Sequence, residues 1–251
     1  MDGLATAQTC KNCESEFSGS FCSQCGQKYI EQRVTLKYTL SSLFQSVFNF
    51  DKGLWPTTWM VFRNPGKVIK DYLRGVTVPY FHPFRFVFFW LTVQVILMVS
   101  TGLYKNFQQN LSGEMDGKGM GPELEGFMTM YYTYMNIFFI IALPALAFGS
   151  WLLFRKRHYN YAEHLVISAY SYGGVTFLGL ISIPLMLLAP KYFLYGSAIT
   201  MPLTFIYLTY VYRSLFRQNL ILIFFKTLLV FVIFMIGFTF ITLAVLYVYF
   251  A

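Results

Sequence analysis

Four cysteines near the N-terminus carry the strongest chemical signal in the chain. They form two CxxC pairs that are separated by eight residues, Cys10 with Cys13 and Cys22 with Cys25. A CxxC turn holds two thiolates on one side of a tight loop, as a tetrahedral zinc shell with bonds of about 2.3 Å requires. Gly26 follows the second pair and allows the backbone to turn beneath the sulfurs. The spacing therefore predicts a metal site of the zinc-ribbon type.

The predicted ion is structural Zn²⁺, with a rubredoxin-type iron as the alternative because it uses the same four ligands. Residues 10–25 are too few to bury a core of their own, so the metal would supply the folding free energy. A closed shell of four thiolates has no open coordination position, which argues against catalysis at the metal. Disulfides or a redox CxxC are disfavoured, since no thioredoxin-like βαβ pattern surrounds the cysteines.

The charges of this segment also argue against nucleic acid as a partner. Within the ribbon, Lys11 stands against Glu14 and Glu16, whereas nucleic-acid binding needs a stripe of Lys and Arg. We expect a zinc ribbon over residues 1–35 that docks a protein or caps the chain end.

The amino-acid composition of the whole chain indicates that the ribbon is attached to a membrane domain. The chain has 251 residues, of which 56% are hydrophobic and 12% charged, against about 25% charged in soluble domains. We predict an all-α integral membrane protein with a five-helix transmembrane bundle over residues 84–251, since a span needs about 20 apolar residues. The predicted spans are 84–104, 127–154, 162–189, 198–216 and 220–250.

The net charge of +8 is explained by the orientation of these spans. Cytoplasmic segments near spans are enriched in Lys and Arg. With the N-terminus inside, sixteen of the 19 basic residues fall on the inner side. We therefore predict a cytoplasmic N-terminus and a C-terminus outside.

Residues 36–83 are predicted to form amphipathic juxtamembrane helices. Leucine, valine and phenylalanine recur at helical spacing between 36 and 50. Gly53 and Pro56 are expected to end that element.

A second short helix is predicted over residues 65–75, with Lys67, Lys70 and Arg74 as its basic face. Such helices lie in the membrane interface, where cations meet anionic headgroups. The alternative is a cytoplasmic collar that packs beneath the bundle.

Glu163 and His164 are the polar residues of the membrane domain with functional potential. Together with His158 they approach the HxxEH pattern of inverted zincins, but the spacing is wrong. We interpret them as pairing with an Arg of the nearby 155–157 segment or capping the third span. Since no P-loop, GxSxG or kinase motif is present, we expect a protein that is not an enzyme.

Several short motifs resemble an uncharacterised bacterial membrane family that is classified only as a domain of unknown function. The resemblance implies a bacterial inner-membrane location and no catalytic residue. Its motifs are CKNCESEFSGSFCSQCGQ (10–27), NFDKG (49–53), RNPG (63–66), DYLRG (71–75) and the prolines of 79–83.

The remainder of the chain is more distantly similar to the Yip superfamily, through its five-span topology and the YAEHL motif at 161–165. That resemblance implies a scaffold or accessory role. The ribbon and the asymmetric basic charge lead us to expect a protein partner, and the small residues Ala169 and Gly173 of the third span allow a homo-oligomer as the alternative. The alternative is a lipid or small-solute transporter or channel, with a cavity where Pro144, Gly173–Gly174, Pro184 and Pro202 break helices.

Overall fold

The computed structural model describes most of the ribbon and of the helical part of the chain. The predicted amphipathic helix at 36–50 lies outside the described residues, as does His158. The described residues are 8–29, 33–35, 53–103, 126–127, 130–131, 134–155, 159–188 and 193–250.

The N-terminal ribbon is built on two very short antiparallel strands. Strand β1 is Gln8–Thr9 and strand β2 is Glu16–Phe17, with Gln8 opposite Phe17. An isolated bridge joins Phe21 to Lys28. The hydrophobic cluster of the ribbon consists of little more than Phe17 and its own cysteines, so this segment has very little apolar core.

The rest of the described chain is mostly helical. Seven helices have ten or more residues in this part of the chain. They are α1 Leu54–Arg63, α2 Pro65–Arg74, α3 Pro83–Ser100, α4 Met135–Phe154, α5 Tyr161–Leu188, α6 Phe193–Phe216 and α7 Leu220–Phe250.

Three of these helices are long and apolar enough to cross a membrane: α3, α7 and the Tyr161–Pro184 part of α5. This finding, made on the described residues, indicates a membrane protein. The five-span bundle is not confirmed. Helix α4 begins at Met135 rather than at 127, and its apolar described part, Phe138–Phe154, is shorter than a span. Helix α6 begins at Phe193, five residues before the predicted start.

Helix α1 was not predicted, because Gly53 and Pro56 were expected to end an element there. Instead, Gly53 precedes the first residue of α1, and Pro56 is its third residue. The N–H groups of a first helical turn have no intrahelical acceptor, so a proline there removes no hydrogen bond.

Helix α2, by contrast, begins at the predicted residue and ends at Arg74, one residue before the predicted end. The Asn64 side chain accepts a hydrogen bond from the Lys67 N–H at 3.2 Å, and Pro65 is the first helical residue. At the other end Gly75 adopts a φ of 97°, a left-handed conformation that glycine tolerates and that terminates helices. Because these signals are local, both ends of α2 could be predicted from the sequence to within one residue.

Helix α5 is the central element of the membrane part and packs against α3, α4 and α6. Close approach occurs at two adjacent glycines. A Cβ atom on Gly173 would overlap the ring of Phe86 of α3, and one on Gly174 would overlap the hydroxyl and ring of Tyr207 of α6. The short helix α2 packs against α5 and α6, with Val68 and Ile69 fully buried.

Candidate metal centre and its attachment to the membrane helices

The four predicted cysteine ligands converge on one point. Their Sγ atoms all lie within 4.8 Å of one another, and the Cys10–Cys25 and Cys13–Cys22 sulfur pairs are each 3.6 Å apart. Tetrahedral ligands with bonds of about 2.3 Å are separated by roughly 3.8 Å. The cluster therefore has the dimensions of a four-thiolate metal site, while its sulfur separations are too long for disulfide bonds of about 2.05 Å.

Two copies of one backbone turn present these sulfurs. In the first, the Cys10 N–H donates to the Ser15 carbonyl and the Glu14 N–H to the Cys10 carbonyl, both at 2.9 Å. The second repeats this pattern at 2.9 Å, from the Cys22 N–H to the Gln27 carbonyl and from the Gly26 N–H to the Cys22 carbonyl. The geometry thus derives from the repeated CxxC spacing.

Both turns need a left-handed residue at the same place, four positions after their first cysteine. Gly26 has a φ of 72° and Glu14 a φ of 61°. Glycine adopts this conformation without steric cost, whereas a residue with a Cβ atom does not. The first turn therefore carries backbone strain that the second avoids.

Ser15 lies between the two turns and was missed by the sequence analysis. Its hydroxyl is 3.0 Å from Cys13 Sγ and 3.3 Å from Cys22 Sγ. These hydrogen bonds lower the pKa of both thiols, that of Cys22 to about 6. Since the thiolate is the metal ligand, Ser15 favours the ligating form of both cysteines.

Within the described residues, the four cysteines are the only group of three or more His, Cys, Asp or Glu side chains close enough to share a metal ion. The donor set is four sulfurs, which suits zinc or iron rather than calcium or magnesium. Cys10 and Cys22 are buried, and Cys13 is exposed.

Gln27 attaches the ribbon to the end of helix α2. Its Nε2 donates to the Gly75 carbonyl at 2.7 Å, and its Oε1 accepts from the Thr77 and Val78 N–H groups at 3.0 and 3.2 Å. The side chain is 3% exposed. A buried amide with both ends satisfied holds the second cysteine turn against the segment that leads into α3.

A second attachment joins the residues after the ribbon to the start of helix α5. The Arg33 guanidinium donates to both carboxylate oxygens of Glu163, each at 2.7 Å. Glu163 is buried, whereas Arg33 is about half exposed. A bidentate pair of this kind fixes orientation as well as distance. We call these two residues the Arg33–Glu163 clasp.

Glu163 also caps its own helix. Capping was one of its two predicted roles, and pairing with an arginine was the other. Its carboxylate accepts from the Asn160 N–H at 2.7 Å, and Asn160 Oδ1 accepts from the Glu163 N–H at 2.9 Å. This reciprocal arrangement is a capping box. Asn160 Nδ2 in addition donates to the Val34 carbonyl at 3.0 Å. Among the described residues the ionic partner of Glu163 is Arg33. Of the predicted segment 155–157, only Arg155 is described.

His164 faces the interior of the bundle rather than Glu163. Its Nδ1 is 2.8 Å from the Ser150 hydroxyl, its ring stacks on that of Phe216, and it is fully buried. The two adjacent polar residues thus point into different environments, and the structure does not bring them together into one site.

The three cations that were predicted to face lipid differ in their surroundings. Lys70 donates to the Ser214 carbonyl of α6 at 3.0 Å, and burial together with the charges of Arg217 and Arg74 lowers its pKa. Lys67 and Arg74 are exposed. Because the apolar face of α2 is buried against the bundle, this helix has the packing expected of the collar alternative.

Fold and site together define a class, a mostly helical membrane protein with an N-terminal four-cysteine cluster. Residues 51–95, from three residues before α1 into α3, match the family described as "Protein of unknown function (DUF3667)". This supports the resemblance to an uncharacterised family. No curated protein and no solved structure matches the chain, and no match connects the membrane helices to the Yip superfamily.

Proposed function

We propose that this protein is a non-enzymatic inner-membrane scaffold or accessory protein whose zinc ribbon engages a partner at the cytoplasmic face. In this proposal helices α3 to α7 form five spans, with the N-terminus inside and the C-terminus outside. The observation that carries the proposal is the attachment of a closed four-thiolate cluster to the membrane helices. Gln27 and Arg33 hold it at two separate points.

The chemistry of the cluster supports a structural role for the metal. Cys10, Cys13, Cys22 and Cys25 would all ligate the ion, which leaves no coordination position for a substrate. When bound, Zn²⁺ supplies folding free energy to a ribbon with little apolar core. The chain's own residues provide the rest, because Ser15 favours the thiolates and Gln27 positions the second turn.

The surface of the ribbon supports protein docking. Phe21 lies between the two cysteine turns and is 59% exposed, and exposed aromatic side chains are frequent anchors of protein interfaces. The exposed cations Lys67 and Arg74 of helix α2 would favour anionic headgroups at the membrane face where the ribbon is proposed to lie.

The decisive experiment separates the metal from the docking surface. The full chain is purified in mild detergent as wild type, as Cys22→Ser/Cys25→Ser and as Phe21→Ala, and its metal content and copurifying proteins are measured. We expect one Zn²⁺ per chain and a stoichiometric partner in the wild type. The double cysteine variant loses both, and Phe21→Ala keeps the metal but loses the partner.

Three results would contradict the proposal. Iron in place of zinc would overturn the assignment of the metal. A clean monomer in several detergents, or a partner that is retained after the metal is lost, would overturn the docking role. Topology is tested independently with a C-terminal alkaline phosphatase fusion, which is active only when the C-terminus lies outside.

A second candidate function is the movement of a lipid or small solute. It is favoured by prolines inside three helices, Pro144 in α4, Pro184 in α5 and Pro202 in α6, because transporters use interrupted helices at their binding sites. Purified protein in vesicles that carry a fluorescent lipid or a trapped solute tests this function. A flux equal to that of empty vesicles would exclude it for the probes used.

A further inference from the structure

The unpredicted helix α1 has two contrasting faces. Thr57, Thr58 and Val61 are buried against the rest of the molecule. On the opposite face, Trp55 and Trp59 stand one turn apart and are 67% and 66% exposed. Two tryptophans this exposed on one short helix are unusual, since the indole ring has a large apolar surface.

Contacts of the buried face fix the position of α1 beside the start of a membrane-spanning helix. Thr57 Oγ1 accepts from the Phe81 N–H at 2.8 Å, just before α3 begins. Thr58 Oγ1 accepts from Trp90 Nε1 at 3.3 Å, and Trp90 lies seven residues into α3. At a rise of about 1.5 Å per residue this is roughly 10 Å along the helix.

The ring of Trp55 also meets that of Trp90, with centroids 5.6 Å apart in an edge-on arrangement. The exposed tryptophans are therefore at the level of the first two to three turns of α3. Since α3, at 18 residues, is only about as long as the hydrocarbon core is thick, its first residues lie at the boundary between headgroups and acyl chains. A level about 10 Å further along is at the deep limit of the roughly 5–10 Å to which interfacial helices bury their apolar faces.

Tryptophan is the side chain best suited to that boundary, because its ring is apolar while its N–H group remains able to bond with water and headgroups. Exposed cations follow the two tryptophans along the chain. Arg63 is the last residue of α1, and Lys67 follows in the next helix, and both are exposed. An apolar aromatic face with neighbouring cations is the pattern of interfacial helices.

We propose that α1 lies in the cytoplasmic membrane interface, with Trp55 and Trp59 in direct contact with phospholipid. Its occupant is thus the lipid of the bilayer that α3 crosses, not a protein partner or a second copy of the chain. The inference rests on the membrane placement proposed above, but it requires neither the metal nor the partner of the ribbon, so the two can fail separately.

Tryptophan fluorescence tests this inference directly, because the chain has only four tryptophans. The full chain is placed in phosphatidylcholine–phosphatidylglycerol vesicles with nitroxide labels at shallow or deep acyl positions. Subtracting the signal of Trp55→Phe/Trp59→Phe from that of the wild type isolates the two indoles. We expect the shallow label to quench this difference roughly twofold more than the deep label, as an interfacial depth requires. Iodide in the buffer should quench it weakly.

The buried indole of Trp90 provides the matched control. The difference between wild type and Trp90→Phe should resist quenching by iodide, because the Trp90 side chain is 3% exposed. Strong quenching of the Trp55/Trp59 signal by iodide without quenching by either lipid label would overturn the proposal and leave α1 in water. A signal shielded from both would also overturn it, since protein would then cover the face. Should the double variant fail to fold, Trp59→Phe alone gives the same comparison.

Discussion

Removing the guanidinium of Arg33 would leave the Glu163 carboxylate buried with much of its hydrogen bonding lost. Two of the contacts to this carboxylate come from Arg33 and one from the Asn160 N–H. Breaking a fully buried pair costs about 3–5 kcal/mol. The Arg33 side chain is 56% exposed and that of Glu163 only 4%, so solvent already screens one partner. We therefore expect Arg33→Ala to lower the free energy of unfolding by about 2 kcal/mol.

The reciprocal change is expected to cost less. Glu163→Gln removes the charge but keeps an oxygen that can accept from the Asn160 N–H, and Gln is an accepted residue at this position of a capping box. The Arg33 guanidinium, already half in water, is then simply solvated. We expect Glu163→Gln to lower the free energy of unfolding by about 0.5–1 kcal/mol. The double variant should resemble Glu163→Gln, because no uncompensated buried charge remains.

Thermal unfolding in detergent measures this difference. At roughly 2–4 °C per kcal/mol for a chain of this size, Arg33→Ala should lower the midpoint by about 4–8 °C. The double variant should recover about half of that loss. Arg155→Ala is the matched control, since Arg155 is exposed at the end of α4 and should leave the midpoint unchanged. If Arg33→Ala is no worse than Glu163→Gln, or the double variant gains nothing over Arg33→Ala, desolvation of the carboxylate is the wrong explanation.

Three further predictions concern the ribbon and the helix packing. Gln27→Ala should lower the free energy of unfolding by about 1–3 kcal/mol, because a buried amide is lost. Hydrogen exchange should become faster at the two backbone amides that donate to this side chain, and unchanged exchange would contradict the attachment. Glu14→Gly should relieve left-handed strain of about 1 kcal/mol and slow metal removal by a chelator, whereas faster removal would refute the strain. Gly174→Ala should lower the thermal midpoint through overlap with Tyr207, by about 1–3 kcal/mol in stability, and a neutral result would show that α5 and α6 separate at little cost.

Features with a local cause could be read from the sequence. The metal centre depends on four cysteines within sixteen residues, and the turn that holds each pair needs no distant contact. Helix α2 is equally local, because Asn64, Pro65 and Gly75 set its ends. The membrane class follows from composition. The cysteine turns and the ends of α2 are predictable because the residues that determine each of them lie within one turn or one helix.

Long-range pairings could not be read in this way. Arg33 and Glu163 are 130 residues apart, and Gln27 lies about 50 residues from the backbone that it contacts. Nothing in the charge pattern distinguishes Arg33 from the nearer arginines at 155–157. A capping role for Glu163 was predictable from its place at the start of a helix, but the identity of its ionic partner is a property of the tertiary fold.

The two attachments explain why a ribbon with almost no core can have a defined place on a membrane protein. Gln27 belongs to the second cysteine turn through its own backbone carbonyl, and its side chain bonds to the segment between α2 and α3. Arg33, six residues later, reaches the start of α5. Two contacts on different elements restrict the rotation that a single tether would permit. A metal bound by the four cysteines would order the cysteine turn and thereby position Gln27. Its folding free energy would then be linked through this one side chain to the orientation of the ribbon against the membrane helices.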